Sequence, residues 1–145
     1  MSDGNISLAE DAPDGFERVT WHGREGFSDI MGPFYQKEGG IRGFRVATRH
    51  SNGRRDCHGG MLMAFADMAF GHIIGERYGR YWITVRLLTD FISPAKPGDW
   101  VQGKGEITSI HDDFVTVQGR LWCEERTIMT GTGVFKMLGR RTTND

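Results

Sequence analysis

The stretch Met61-Leu62-Met63-Ala64-Phe65-Ala66-Asp67-Met68-Ala69-Phe70-Gly71 constrains this chain more than any other. Together with its flanks it reads as one helix from His58 to Tyr78, with Gly79 placed to end it at C′. A helix that is hydrophobic nearly all round is a buried helix. Asp67 is the only carboxylate in that stretch. Ionised carboxylates are almost never fully buried without a partner, because removing the charge from water costs several kcal/mol. A lone Asp there is expensive, and expensive polar groups tend to sit at sites.

The segments around this helix read as strands. Residues 32–37 form a short strand candidate with Glu38-Gly39-Gly40 as its turn, and residues 41–49 alternate, Phe44, Val46 and Thr48 against Arg45 and Arg49. After the helix, residues 81–92 carry Val85, Leu87, Thr89 and Phe91 on one face. A loop with two prolines, 94–99, leads to three further strands at 100–110, 114–123 and 127–138. Residues 15–21 read as a short helix or turn. A helix apolar on most faces cannot simply lie on a flat sheet. The economical fold is α+β: one long central helix wrapped by a curved antiparallel β-sheet of five to six strands. Such a sheet leaves edges and helix surface uncovered, so a homodimer continuing the sheet edge to edge is expected, assembling to a homotetramer.

Composition narrows the rest. At 145 residues the chain suits one domain, expected over 16–139 between polar tails at 1–15 and 140–145. Eighteen basic residues against nineteen acidic ones give a net charge of −1, which offers no footprint for nucleic acid or an anionic membrane. Cys57 and Cys123 form no CxxC pair, so neither a disulfide framework nor a metal site is expected. The first residues lack the basic and apolar regions of a leader, no apolar run is long enough to span a membrane, and the expected location is cytoplasmic. Glycine is over-represented, at 21 residues. Several (Gly43, Gly103, Gly105, Gly119, Gly131, Gly133) fall inside strand-like segments, where they signal bulges, bends or close approach of another element.

The two glycines after His58 put backbone N–H groups at the helix N-terminus, where developing negative charge is stabilised. A carboxylate and an oxyanion cradle suggest acyl transfer. Asn52 through Gly60, then Asp67, gives the spacing Asn-x5-His-Gly-Gly-x6-Asp, followed by Thr84 and a Pro-Ala-x-x-Gly-Asp loop at 94–99. This pattern resembles the hotdog-fold acyl-CoA thioesterases, and more narrowly their PaaI-like branch, which acts on phenylacetyl-CoA and medium- to long-chain acyl-CoA. The resemblance implies a site shared between subunits, hydrolysing an acyl-CoA with neither metal nor organic cofactor. Asp67 of one subunit would be general base or nucleophile; Asn52, His58 and Gly59 would come from the facing one. The residue chemistry agrees with this. A partly dehydrated Asp67 is a better base than a solvated one, and the Gly59 N–H is the natural oxyanion donor. Asn52 would orient the water, His58 the loop or the thioester oxygen, and Thr84 the water or Asp67 itself. Gly60 would line the substrate. Arg54, Arg55, Lys96, Arg140 and Arg141 are candidates for the coenzyme A phosphates only by their place on loops and tail.

Two other readings share the fold: a non-catalytic acyl-CoA-binding or regulatory module, and a hydratase or dehydratase. A binder gains nothing evident from a costly carboxylate, and the His-Gly-Gly entry fits the thioesterase pattern better. Nine residues of helix separate Asp67 from His58 by about 13 Å. The pair is therefore expected to serve two sites, each completed by a partner subunit.

Overall fold

The computed structural model describes residues 11–20 and 26–141. Among the described residues seven strands and two α-helices follow one another as β1 (Glu17–Arg18), α1 (Phe27–Met31), β2 (Tyr35–Lys37), β3 (Ile41–Arg45), α2 (Gly59–Tyr78), β4 (Arg80–Phe91), β5 (Trp100–His111), β6 (Phe114–Cys123) and β7 (Arg126–Arg140). A 3₁₀ turn over Thr48–His50 links β3 to the loop before α2. All pairings are antiparallel, in the order β1-β2-β3-β5-β6-β7-β4. Sheet residues from β4 to β7 all reach α2, so the sheet curves around the helix. Among the described residues no helix is long and apolar enough to cross a membrane.

Helix α2 has the expected ends. His58 is the N-cap, its Nδ1 accepting the Gly60 N–H at 2.8 Å. Gly79 closes it in the left-handed region at φ 61°, its N–H bonded to the Gly75 carbonyl. Every residue from Met61 to Gly75 is buried or half-buried within a single chain, as an all-round apolar sequence requires.

Close approach is the reason for the strand glycines under this helix. Gly105 pairs directly with Gly119, and Gly119 with Gly131, so three glycines form one row across β5, β6 and β7. The ring of Phe70, fully buried, lies on that row. A Cβ at Gly119 would come within 2.2 Å of Phe70 Cε1, one at Gly105 within 2.9 Å of Phe70 Cα, and one at Gly131 within 3.0 Å of Phe70 Cε2. Gly103 belongs to the same contact, against Ala69 and Phe65. Around it Phe34, Phe44 and Phe65 pack ring on ring, with centroids 4.7 to 6.1 Å apart.

Four local expectations are revised. The sheet has seven strands rather than five to six, because residues 15–21 supply β1 instead of a helix. Phe16 packs edge-on against Trp100 at 4.9 Å and the Val19 N–H bonds the Phe34 carbonyl, which holds that segment on the sheet; Trp21 lies outside the described residues. The strand expected over 41–49 stops at Arg45, because the Ala47 N–H turns to the ring of His50 at 2.9 Å in place of a neighbouring strand. In β4 the register shifts between Thr84 and Arg86, leaving Val85 as an extra residue exposed outward. Thr84 thereby faces the helix together with Leu87 and Thr89, whereas strict alternation had put Val85 there. Arg140 belongs to β7 rather than to a tail, and residues 1–10 and 142–145 of the expected tails lie outside the described residues.

Gly119→Ala tests the glycine row. The Phe70 ring has nowhere to move, so the variant is expected to lose about 1–3 kcal/mol, as overpacked cores do. A urea midpoint unchanged from wild type would contradict the close approach.

Candidate active site

Asp67 sits at the middle of α2, half-buried, facing β4. Its Oδ1 accepts the Thr84 hydroxyl at 2.5 Å. The β4 bulge makes this contact possible by aiming Thr84 at the helix. The hydroxyl fixes one carboxylate oxygen and leaves the other oxygen to bind or deprotonate a ligand.

The second locus is the N-terminus of the same helix. Among the described residues the Gly59 N–H has no acceptor, as the first N–H groups of a helix lack intrahelical partners. It borders a cleft of about 490 Å³ that Asn52, Arg54, Cys57, Phe91 and Ser93 also line. Asn52 shapes the loop beneath: its Oδ1 accepts the N–H groups of Arg54 at 2.8 Å and Asp56 at 3.2 Å. With the oxygen so engaged, what Asn52 can offer the cleft is its Nδ2 donors. His58 is likewise half-committed. Its Nδ1 takes the Gly60 N–H, so in the neutral ring the proton resides on Nε2, an exposed donor. The Gly60 N–H is thus occupied by the cap, and Gly59 holds the amide that is free.

Cleft walls are pinned by charge. Lys96 bonds Asp56 at 2.9 Å, and Arg126 reaches the Pro94 carbonyl, Ser93 Oγ and Asp99 Oδ2, tying the proline loop to β7. Of the cations considered for phosphates, Arg54 borders the cleft, whereas Lys96 is paired with Asp56. Arg141 lies against Gly75, near the far end of α2 and about 24 Å along the helix from Gly59, so it belongs to another surface.

One positioning residue carried no sequence signal. His50 is buried, at 2% exposure; its Nδ1 accepts from Ala47, its Nε2 donates to the Met31 carbonyl at 2.8 Å, and its own carbonyl takes the His58 N–H at 2.7 Å. Burial lowers its pKa, which keeps the ring neutral and able to do both. It joins the end of α1, the 3₁₀ turn and the entry of α2. Nothing in its local sequence separates it from a surface histidine; only the three-dimensional meeting of these elements does.

Asp67 and Gly59 lie on one helix, about 12 Å apart by its rise. No single carbonyl carbon touches both in one chain. Among the described residues no group of three or more His, Cys, Asp or Glu is placed to hold a metal ion. Cys57 borders the cleft, but burial pushes its thiol up to about 12, so it is protonated and inert at neutral pH. Native protein at pH 8 is accordingly expected to resist alkylation at Cys57 by iodoacetamide, while urea-unfolded protein reacts; labelling of native Cys57 within minutes would contradict this.

Comparison with known proteins agrees with the geometry. Residues 55–130, which contain Asp67, Thr84, His58 and Gly59 but not Asn52 or Arg54, match the family model of the thioesterase superfamily. A Pseudomonas aeruginosa protein named "Putative esterase PA0474" is 29% identical over 115 residues, covering 75% of this chain and 86% of its own. Among solved structures, the E. coli PaaI protein from the phenylacetic acid degradation operon superposes with a TM-score of 0.65 at 21% identity, over 76% of each chain. A Streptococcus pneumoniae hypothetical thioesterase with coenzyme A superposes at 0.67, with 19% identity over 94% of this chain and 93% of that one. The chain belongs to the thioesterase superfamily and has the hotdog fold of PaaI.

Proposed function

We propose that the protein is an acyl-CoA thioesterase, hydrolysing a thioester to the free acid and coenzyme A in a site completed by two subunits. The carrying observation is the hydroxyl-anchored carboxylate: Asp67, fixed by Thr84 and half-buried in an apolar helix, facing the outermost strand β4. That strand is twelve residues long, pairs only with β7 among the described residues, and exposes Ile83, Val85 and Leu88. A long apolar edge of this kind is a template for pairing. A two-fold axis at β4 would join the two sheets and bring the Gly59 end of one helix toward Asp67 of the other. The same apolar surface favours assembly of such dimers into a tetramer.

In this arrangement Asp67 takes a proton from water as the water oxygen attacks the thioester carbon, or attacks that carbon itself to form an acyl-Asp67 anhydride that water hydrolyses after the coenzyme A thiolate has left. The carbonyl oxygen gains negative charge and is held by the Gly59 N–H at the positive end of α2, a donor typically worth about 3–4 kcal/mol. Asn52 Nδ2 and His58 Nε2 supply further donors. The C–S bond then breaks, the coenzyme A sulfur takes up a proton, and the acid departs. The cleft beside Arg54 suits the coenzyme A moiety, in keeping with the coenzyme A bound to the Streptococcus pneumoniae neighbour. A coenzyme A substrate is in keeping with the expected cytoplasmic location.

A thiol-release assay over a panel of acyl-CoAs tests this reading. Asp67→Asn is expected to lower kcat by about 10²–10⁴, the range for a positioned base, while folding and assembling as wild type does. Absence of turnover of every acyl-CoA by the wild type would overturn the reading. Full activity in Asp67→Asn would remove Asp67 from the chemistry.

A further inference from the structure

Helix α2 turns one row of residues toward the edge strand. Gly59, Met63, Asp67, Gly71 and Gly75 recur at every fourth position, and each meets β4. A Cβ at Gly75 or Gly71 would strike the Trp82 ring, and Asp67 accepts the Thr84 hydroxyl. Met63 Sδ accepts the Thr89 hydroxyl at 2.8 Å, and a Cβ at Gly59 would touch the Phe91 ring at 3.4 Å. Helix and strand thus run antiparallel in step, with Asp67 level with Thr84 and Gly59 level with Phe91.

This row limits how a second copy can join. Continuing the sheet antiparallel, with both helices on one face, needs a two-fold axis normal to the sheet. Opposed residues of an antiparallel pair point to the same face, so the axis passes through a residue and not between two. For Gly59 of one subunit to face Asp67 of the other, Phe91 of one strand must lie opposite Thr84 of the other. Val85 is the extra residue of the bulge, so the residue midway is Leu88. On the helix the midway residue is Met63, and Thr89, which holds it, is next to Leu88.

Charge points to the same residue. Arg86, Leu88 and Asp90 share the outer face of β4, opposite Val134, Thr132 and Thr130 of β7, and all three are exposed. Arg86 and Asp90 stand about 13 Å apart along the strand, too far to pair with each other. Among the described residues neither side chain has another partner in the chain. An axis at Leu88 sets Arg86 of each subunit directly opposite Asp90 of the other, twice per dimer. An axis at Leu87 or Thr89 sets Arg86 against Leu88 or Ile92 instead, and slides the strands by two residues, about 7 Å.

We propose that two copies join through β4 in a register centred on Leu88, and that the two Arg86–Asp90 pairs select this register. They thereby set Gly59 of one subunit opposite Asp67 of the other. Arg86 and Asp90 are positioning residues: they touch no substrate, and they exclude registers in which the halves of the site miss each other. The inference rests on the shared site proposed above and supplies its geometry.

Disulfide mapping tests the register with Leu88→Cys, Arg86→Cys, Asp90→Cys and the double variant Arg86→Cys/Asp90→Cys. Opposed residues stand about 5 Å apart at Cα, within disulfide reach, so Leu88→Cys and the double variant are expected to cross-link on oxidation. In Arg86→Cys or Asp90→Cys alone the introduced thiols lie about 13 Å apart and are expected to stay reduced. Leu88→Cys that remains uncross-linked, or Arg86→Cys that cross-links alone, overturns the register. The charges are tested in the Leu88→Cys background, by the equilibrium cross-linked fraction in a glutathione redox buffer. Arg86→Asp, which opposes like charges, is expected to lower the cross-linking constant at least about tenfold, and adding Asp90→Arg to restore it to within about threefold. An unchanged constant in Arg86→Asp, or no recovery in the swapped pair, overturns the role of the charges. These readouts need no turnover, so they decide the register even if no acyl-CoA is hydrolysed and the thioesterase reading falls.

Discussion

The position of α2 on the sheet depends on one contact, the Phe70 ring against the transverse row Gly105-Gly119-Gly131. Because no side chain stands between them, helix and sheet approach to backbone distance, and Phe70 becomes fully buried. That depth decides the rest. It presses the helix flank carrying Asp67 toward β4, where a single bulge turns Thr84 inward to meet it. It also draws Trp82 onto Gly71 and Gly75. Interiors packed to this density transmit small displacements, so a methyl group in the glycine row would be felt at the carboxylate.

The parts of this arrangement legible in the sequence are those whose cause is local. The ends of α2 follow from a capping His58 and a left-handed Gly79, and the meander follows from alternation and turn residues. The lone Asp67 could be singled out by its cost alone. The glycines were legible as a class but not in their particular role, because cross-strand pairing of Gly105, Gly119 and Gly131 is a property of register rather than of spacing. For the same reason Val85 and Thr84 exchanged faces: a bulge has no signal in a run of alternating residues. His50 stayed silent because its role depends on elements distant in sequence meeting in space. The strand at Glu17–Arg18 was missed because it exists only by virtue of its partner β2.

The site follows from a simple metric constraint. One straight helix carries both the carboxylate and the free amide, about 12 Å apart. On the thioesterase reading proposed above, the chain holds two halves of a hydrolytic site, which one carbonyl does not reach within a single subunit. The apolar edge strand next to Asp67 is the surface proposed for the second copy.

Subunit complementation decides whether each site is shared between two subunits. Asp67→Asn removes the carboxylate. Gly59→Pro removes the amide hydrogen while keeping a residue well suited to the first helical position, after a His58 whose ψ of 134° already suits a following proline. Each variant alone is expected to be nearly inactive. Mixed in equal amounts and allowed to exchange subunits, half of the dimers carry one doubly altered site and one intact site, so about a quarter of wild-type activity returns. A mixture that forms heterodimers yet stays inactive would contradict shared sites, because it would place Asp67 and Gly59 in the same subunit's site.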